Sequence, residues 1–409
     1  MSHTVTMSHT VTRRRAAGFT LLELLVVMGI LTGFLLMLAQ MVDHGLRMFS
    51  DGELSQSMAD RASRAQRVIS RELGLLRGSA TGRDRDAVDD RLIVQRLPIG
   101  LPPRPEPKAT RVQLLRGAVR LPVDRELQLI DADLTAEIVK TTPNIGEAEL
   151  EKQVAAARQG KPLRGVGNML LLPWRQEGED EALLELRALW LLPDMRIATA
   201  PDRDIDPFAV PVPGAPELPG IAVWRASTAV LSDLLHVEFQ FWAQDTKRWG
   251  SSDGTAAGKT IAESIWDSAR GGWLVDEANG GVFRFDRGPA SLADPRDDIH
   301  PHAILVRCVV AMPAEFAPEG QLAAPLDDDQ QTLLLYNGDR FPGPTQGGFL
   351  KVRGEWIGYA ERVGDELRGL RRGQRSTKAL EHPAGTRVHV GRTVEFVVPI
   401  PHAKDDWNG

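Results

Sequence analysis

Between Leu24 and Val42 the chain carries no charged side chain. About 20 apolar residues in a helix cross a hydrocarbon core of roughly 30 Å, so this run predicts a membrane-spanning helix. From Leu54 the pattern changes. Leu54, Met58, Ala62, Ala65, Ile69, Leu73 and Leu76 recur at steps of three and four, with Asp60, Arg64, Arg67 and Arg71 between them, which is the spacing of one apolar helical stripe. No proline occurs before Pro98. The two patterns therefore predict one long helix, a membrane half over 19–42 and an amphipathic half over 43–78, ending near Gly78.

Beyond Gly78 the period shifts toward strands. Residues 80–110, with "RLPIGLPPRPEPKAT", are rich in charge and then in proline and predict a surface excursion of polyproline character. Glu147 to Arg158 predicts a short helix inside an insertion, and "NMLLLPW" and "ALLELRALWLLP" predict a hairpin over the acidic turn "RQEGEDE". Val237, Phe239 and Phe241 alternate with Glu238, Gln240 and Trp242, a strand with one packed face and the other toward solvent or a further layer. After an acidic, proline-rich stretch, "GGFLKVRGEWIGYAERVGDELRGLRRGQRSTKALEHPAGTRVHVG" predicts several short strands. We assign 79–317 to a β head with insertions and 318–391 to an inserted small β module. "RTVEFVVPIP", at the start of 392–409, returns as the final strand before the tail. The fold class is α+β: a long N-terminal helix packed on an antiparallel sheet, with a small β module inserted.

Composition narrows the function. With 409 residues, 42% of them hydrophobic, the chain is long enough to bury at least one full core. A net charge of -6, with arginines interleaved among acids, leaves no electrostatic footprint for nucleic acid. The one run that departs from this is "RGLRRGQR", Arg368 to Arg375, a candidate polyanion contact. The single cysteine, Cys308, rules out an intrachain disulfide and reads as a buried strand residue.

Arg13, Arg14 and Arg15 precede the apolar run and Asp43 follows it, so the positive-inside bias places the N-terminus in the cytoplasm and the head outside. No small-residue cleavage site follows the run, unlike an ordinary signal peptide. Glu23 is the anomaly: a carboxylate costs on the order of 2.5 to 3.5 kcal/mol at the bilayer centre and so needs a partner or an interfacial place. "GFTLLE", behind a basic leader, resembles the processing signal of type IV prepilins and type II secretion pseudopilins. The resemblance implies a leader over 1–18, with Met1 and Met7 both open as the start. It further implies cleavage between Gly18 and Phe19 by a prepilin peptidase, N-methylation of Phe19, and pairing of Glu23 with the terminal amine of a neighbouring subunit. The partners implied are that peptidase, other pilins or pseudopilins, and the inner membrane. Residues 221–249 further resemble the head of J-type minor pseudopilins. Gly29 and Gly33 stand at a spacing that allows close helix approach.

Two functions fit. The first is a minor pilin or pseudopilin of a type II secretion or type IV pilus filament, acting in assembly initiation or tip structure as a single-pass membrane protein. The second is a pilin-anchored adhesin or receptor whose β module binds glycan or DNA. Neither is an enzyme, and no cofactor or metal is expected. His300 and His302, near Asp297 and Asp298, could be imagined as metal ligands, but a solvated strand entry is the plainer reading. Asp327, Asp328 and Asp329 lack the calcium-loop glycine and distal Glu and read as a solvated loop. His382 in "LEHPAG" reads as a turn residue rather than a base.

Overall fold

The computed structural model describes residues 21–77, 92–98, 111–175, 182–192, 227–243, 248–250, 264–268, 300–313, 320–338, 341, 347–375 and 377–400. The chain divides into two compact units, 1–57 and 58–409. Helix α1, Leu21–Leu73, runs through both. In its second half Met58, Ala65, Ile69 and Leu73 are buried while Asp60, Arg64 and Arg67 are exposed, as the stripe at steps of three and four requires. The helix stops at Leu73, short of the expected Gly78, because the next residues leave it for the sheet: Leu76 bridges Val119, the Arg77 N–H donates to the Ala118 carbonyl at 2.9 Å, and the Arg120 N–H donates to that of Leu75 at 2.8 Å. Backbone pairing there outcompetes another helical turn.

The strands follow as β1 (Ile93–Pro98), β2 (Arg111–Arg120), β3 (Val166–Arg175), β4 (Leu184–Leu191), β5 (Thr228–Ala243), β6 (Arg248–Gly250), β7 (Ser264–Asp267) and β8 (Ala303–Ala311). Helices α2 (Val123–Thr141) and α3 (Glu147–Arg158) lie between β2 and β3. Short strands come next: β9 (Gln321–Leu322), β10 (Thr332–Tyr336), β11 (Gly348–Val352), β12 (Glu355–Tyr359), β13 (Glu361–Val363), β14 (Glu366–Arg368), β15 (Arg371–Gln374) and β16 (Val388–His389). The last is β17 (Gly391–Pro399). Nine strands form one antiparallel sheet in the order β17-β8-β5-β4-β3-β2-β1-β7, with β6 beside β5. Its core joins Ile69, Leu73 and Leu76 to Leu115, Leu171, Phe239, Val306 and Phe396.

Two features here differ from the sequence expectation. The stretch 80–110 is not all surface excursion, since β1 pairs with β2 from Ile93↔Arg116 to Pro98↔Arg111 and Leu92, Ile93 and Val94 are buried. Three successive apolar residues, two of them β-branched, prevail over the prolines that follow. Helix α2 was not anticipated. It starts after Pro122, buries Ile130 and Leu134, and also buries Glu126, whose carboxylate accepts the backbone N–H groups of Arg164 and Gly165 at 2.6 and 2.9 Å. Of the two settings expected for the second face of β5, solvent or a further layer, the structure shows a buried one: Glu238 and Gln240 are buried, and Arg307 on β8 lies between Glu238 on β5 and Glu395 on β17, paired with both.

Beyond Leu234, β5 runs past the end of β4, and β2 supplies a substitute partner. The Gln113 side chain accepts the Phe239 N–H at 2.6 Å and donates to the Phe239 carbonyl at 3.2 Å. A primary amide thus copies a backbone pairing and satisfies two buried polar groups that would otherwise be costly.

Residues 320–390 build a second core. Sheets β13-β14-β10-β9 and β15-β12-β11-β16 bury Leu333, Leu335, Leu350, Ile357, Tyr359 and Leu367, and β17 then rejoins the large sheet through nine pairs with β8, from Gly391↔Ala311 to Pro399↔Ala303. The small sheets are tied to the large one by Lys351, 1% exposed, whose Nζ donates to the carbonyls of Ala182 and Leu235, each at 2.7 Å. Around it Trp356 packs with Ala182, Leu235, Val309 and Ala311.

Candidate functional site

The N-terminal motif falls at the start of α1. Leu24–Leu46 is 23 residues long and apolar enough to cross a membrane, and at 1.5 Å per residue it spans about 34 Å, close to the hydrocarbon thickness. Its large apolar side chains are exposed within the chain, Met41 to 77% and Ile30 to 69%. An apolar helix whose side chains are, among the described residues, this exposed needs lipid or other helices as its solvent. Gly29 and Gly33 have open space at the Cβ position, and the Thr32 hydroxyl returns to the Met28 carbonyl at 2.7 Å, so this polar group is satisfied within the helix. Glu23 stands in the first turns of α1, and its side chain lies outside the described residues, as do Gly18 and Phe19.

The other sequence candidates resolve into structural roles. His300 is buried and His302 half-buried at the entry to β8, where the His302 carbonyl accepts the Ile400 N–H at 3.0 Å; Asp297 and Asp298 lie outside the described residues. Among the described residues no cluster of His, Cys, Asp and Glu could hold a metal ion. Asp327, Asp328 and Asp329 form an exposed turn closed by the Gln330 side chain on the Asp327 N–H. Cys308 is fully buried in β8, and burial pushes its thiol up to about 12.

His382 is more than a turn residue. It is buried and its Nε2 lies 2.8 Å from Glu355 Oε2. Glu355, also fully buried, takes a two-point contact from Arg372 at 2.8 Å on each oxygen, with the N–H groups of Gly373 and Leu380 at 3.1 Å. Burial alone would raise this carboxyl, but the bonds from His382, Arg372 and the Gly373 N–H hold it down at about 2. The constellation fastens loop 377–382 to β12 and β15. Its carboxylate accepts five hydrogen-bond contacts, so it serves as a staple.

The basic run divides in the same way. Arg368 pairs with Glu366 at 2.7 Å, Arg372 is spent on Glu355, and the guanidiniums of Arg371 and Arg375 stand 5.6 and 5.2 Å from the Phe349 ring centre. Arg375 also lies 4.3 Å from the Trp356 ring centre. Sequence reasoning missed Lys351, Trp356 and Glu355. The signal for Lys351 was a lone lysine between Leu350 and Val352 in an apolar strand.

A family model describing the prokaryotic N-terminal methylation motif matches residues 13–39. No match is found among curated proteins or among solved structures. The motif and the apolar helix that carries it support a type IV pilin-like or pseudopilin protein, processed by a prepilin peptidase and anchored by that helix. The match covers the end of the leader, from Arg13, and most of the membrane half, to Ala39, and says nothing of the head.

Proposed function

We propose that this chain is a minor pilin or pseudopilin, of J-type character, that enters a type II secretion or type IV pilus filament and acts in assembly initiation or at the tip. The observation that carries the reading is the methylation motif at 13–39 on a helix whose apolar side chains are exposed among the described residues. A head of this size suits a low-copy subunit better than a repeating one. In this reading Phe19 becomes the methylated terminus, and Glu23 meets the terminal amine of a neighbouring subunit, which removes the cost of an unpaired carboxylate among apolar helices. The N-terminus begins in the cytoplasm and the head lies outside the inner membrane. The role is structural, with no catalysis.

Two variants test it. Gly18→Val is expected to keep its leader, read as an intact N-terminus by mass spectrometry, whereas the wild type begins at a methylated Phe19. Glu23→Gln is expected to be cleaved normally yet to be missing from sheared filaments. A wild-type protein that retains its leader in a cell with an active prepilin peptidase would overturn the assignment.

A further inference from the structure

We propose that the outer edge of β17 is a strand-acceptor site, which takes an extended segment of a neighbouring, different subunit into the large sheet; this rests on the filament-subunit reading above. The register fixes which backbone groups are offered. The Met312 N–H donates to the Val390 carbonyl and the Ile400 N–H to the His302 carbonyl, and both pairs continue the β17·β8 register. Even-numbered residues therefore aim their backbone groups at β8. Odd-numbered ones aim theirs outward, giving the N–H and C=O of Gly391, Thr393, Glu395 and Val397 and the carbonyl of Pro399. Among the described residues no strand pairs with that edge. Such groups recur about every 6.8 Å, and their complement is another extended backbone.

The edge carries few of the devices that keep strands apart. Exposed edges are normally short, bulged, or guarded by lysine or proline. β17 keeps unbroken register with β8 over its whole length, has no lysine, and places its only proline at the last position. The opposite edge of the same sheet is guarded: β7 is four residues long and its register against β1 slips. β17 is also anchored, since Phe396 and Val398 are buried in the core, so an added strand would meet a rigid template. Thr393, Glu395 and Val397 are exposed on the other face, Val397 to 51%. A second copy is the poorer occupant. Antiparallel pairing of β17 with itself over its full length sets Glu395 directly opposite Glu395, and like charges so placed destabilise a ladder.

The test uses the full chain in its own membrane. A photo-crosslinking amino acid in place of Val397 is expected to join a different pilin-type subunit, identified by mass spectrometry, while the same probe at Leu334, equally exposed on β10, gives no such product. Thr393→Pro, which removes one outward N–H at an edge position where proline is tolerated, is expected to abolish the product. Independently, the amides of Thr393, Glu395 and Val397 should exchange at least about tenfold more slowly in the purified assembly than in the detergent-solubilised chain, those of Val394 and Phe396 staying equal. A chain recovered in the assembly with unprotected outward amides overturns the acceptor site alone, and a product between two copies of this chain overturns the choice of partner. A chain found in no assembly overturns the filament reading and this inference with it.

Discussion

Replacing Glu355 with Gln removes the charge from the staple and leaves its shape. In the folded chain the carboxyl is held at about 2 against an ordinary 4.5. At about 1.36 kcal/mol per unit, that difference corresponds to about 3 kcal/mol of stability. Breaking a buried pair by removing one partner gives a similar magnitude, roughly 3 to 5 kcal/mol, and the partner left behind here is the Arg372 side chain, only 7% exposed. The sign follows from the depressed value. The contribution is fully present above the unfolded pKa and is lost as pH falls from about 4.5 toward 2, because the unfolded chain takes up the proton first. Urea titration of the detergent-solubilised full chain, followed by tryptophan fluorescence, gives the measurement at pH 7, 5, 4 and 3. Glu355→Gln should be less stable than wild type by about 3 kcal/mol at pH 7 and pH 5, with the gap narrowing below that and nearly closed toward pH 2. Other carboxylates titrate in both chains, so the difference isolates this one. A gap that does not change with pH, or one under about 1 kcal/mol at pH 7, would refute the reasoning.

Leu73→Ala should destabilise the unit 58–409 by about 2 to 5 kcal/mol in the same titration, because Leu73 is fully buried beneath the sheet; an effect of a few tenths would mean that the second half of α1 does not hold the core. Lys351→Met keeps the stem and removes the ammonium that serves the Ala182 and Leu235 carbonyls. It should cost about 2 to 4 kcal/mol, while an unchanged midpoint would show that water replaces both bonds. Cys308 should ignore a disulfide-exchange reagent at pH 8 in the native chain and react fully in denaturant, since its thiol is buried and pushed up to about 12. Rapid native labelling would place it at an accessible edge.

Much of the fold was readable wherever one residue period ran unopposed. The stripe from Met58 to Leu76, the hairpin of β3 and β4, helix α3 and the alternation at 237–241 all express local patterns that tertiary contacts then reinforce. The misses share a cause. Helix α2 buries only two apolar residues and completes its face with Glu126, whose hydrogen-bond partners lie 38 and 39 residues further on. The second face of β5, which the alternation left open between solvent and a further layer, is decided by Arg307, 69 residues beyond Glu238. Lys351 reaches carbonyls 169 and 116 residues away. A buried polar residue is indistinguishable from a solvated one until the chain has brought its partner alongside, so period-based reading leaves such groups on the surface. The N-terminal motif is the reverse case, since its chemistry lies in consecutive residues.

The basic run, the candidate polyanion contact that would separate the two functional readings, also takes its meaning from distant partners. Counted along the sequence, Arg368, Arg371, Arg372 and Arg375 are four positive charges in eight residues. Weighed in the fold, they are not four free charges. A phosphate or sulfate would have to compete with Glu366 for Arg368 and with Glu355, already holding two bonds, for Arg372. The second exchange would leave a fully buried carboxylate without its main counter-charge, a loss comparable to the whole contribution of the staple. Arg371 and Arg375 stand over the Phe349 ring, and Arg375 over Trp356 as well, so these guanidiniums too are engaged within the module rather than laid out as a track along a polymer. The module's arginines therefore act mainly on its own interior, and its Lys351 and Trp356 act on the sheet that carries it. Such a module is held as a fixed part of the fold that carries it, and its buried lysine is spent on that attachment.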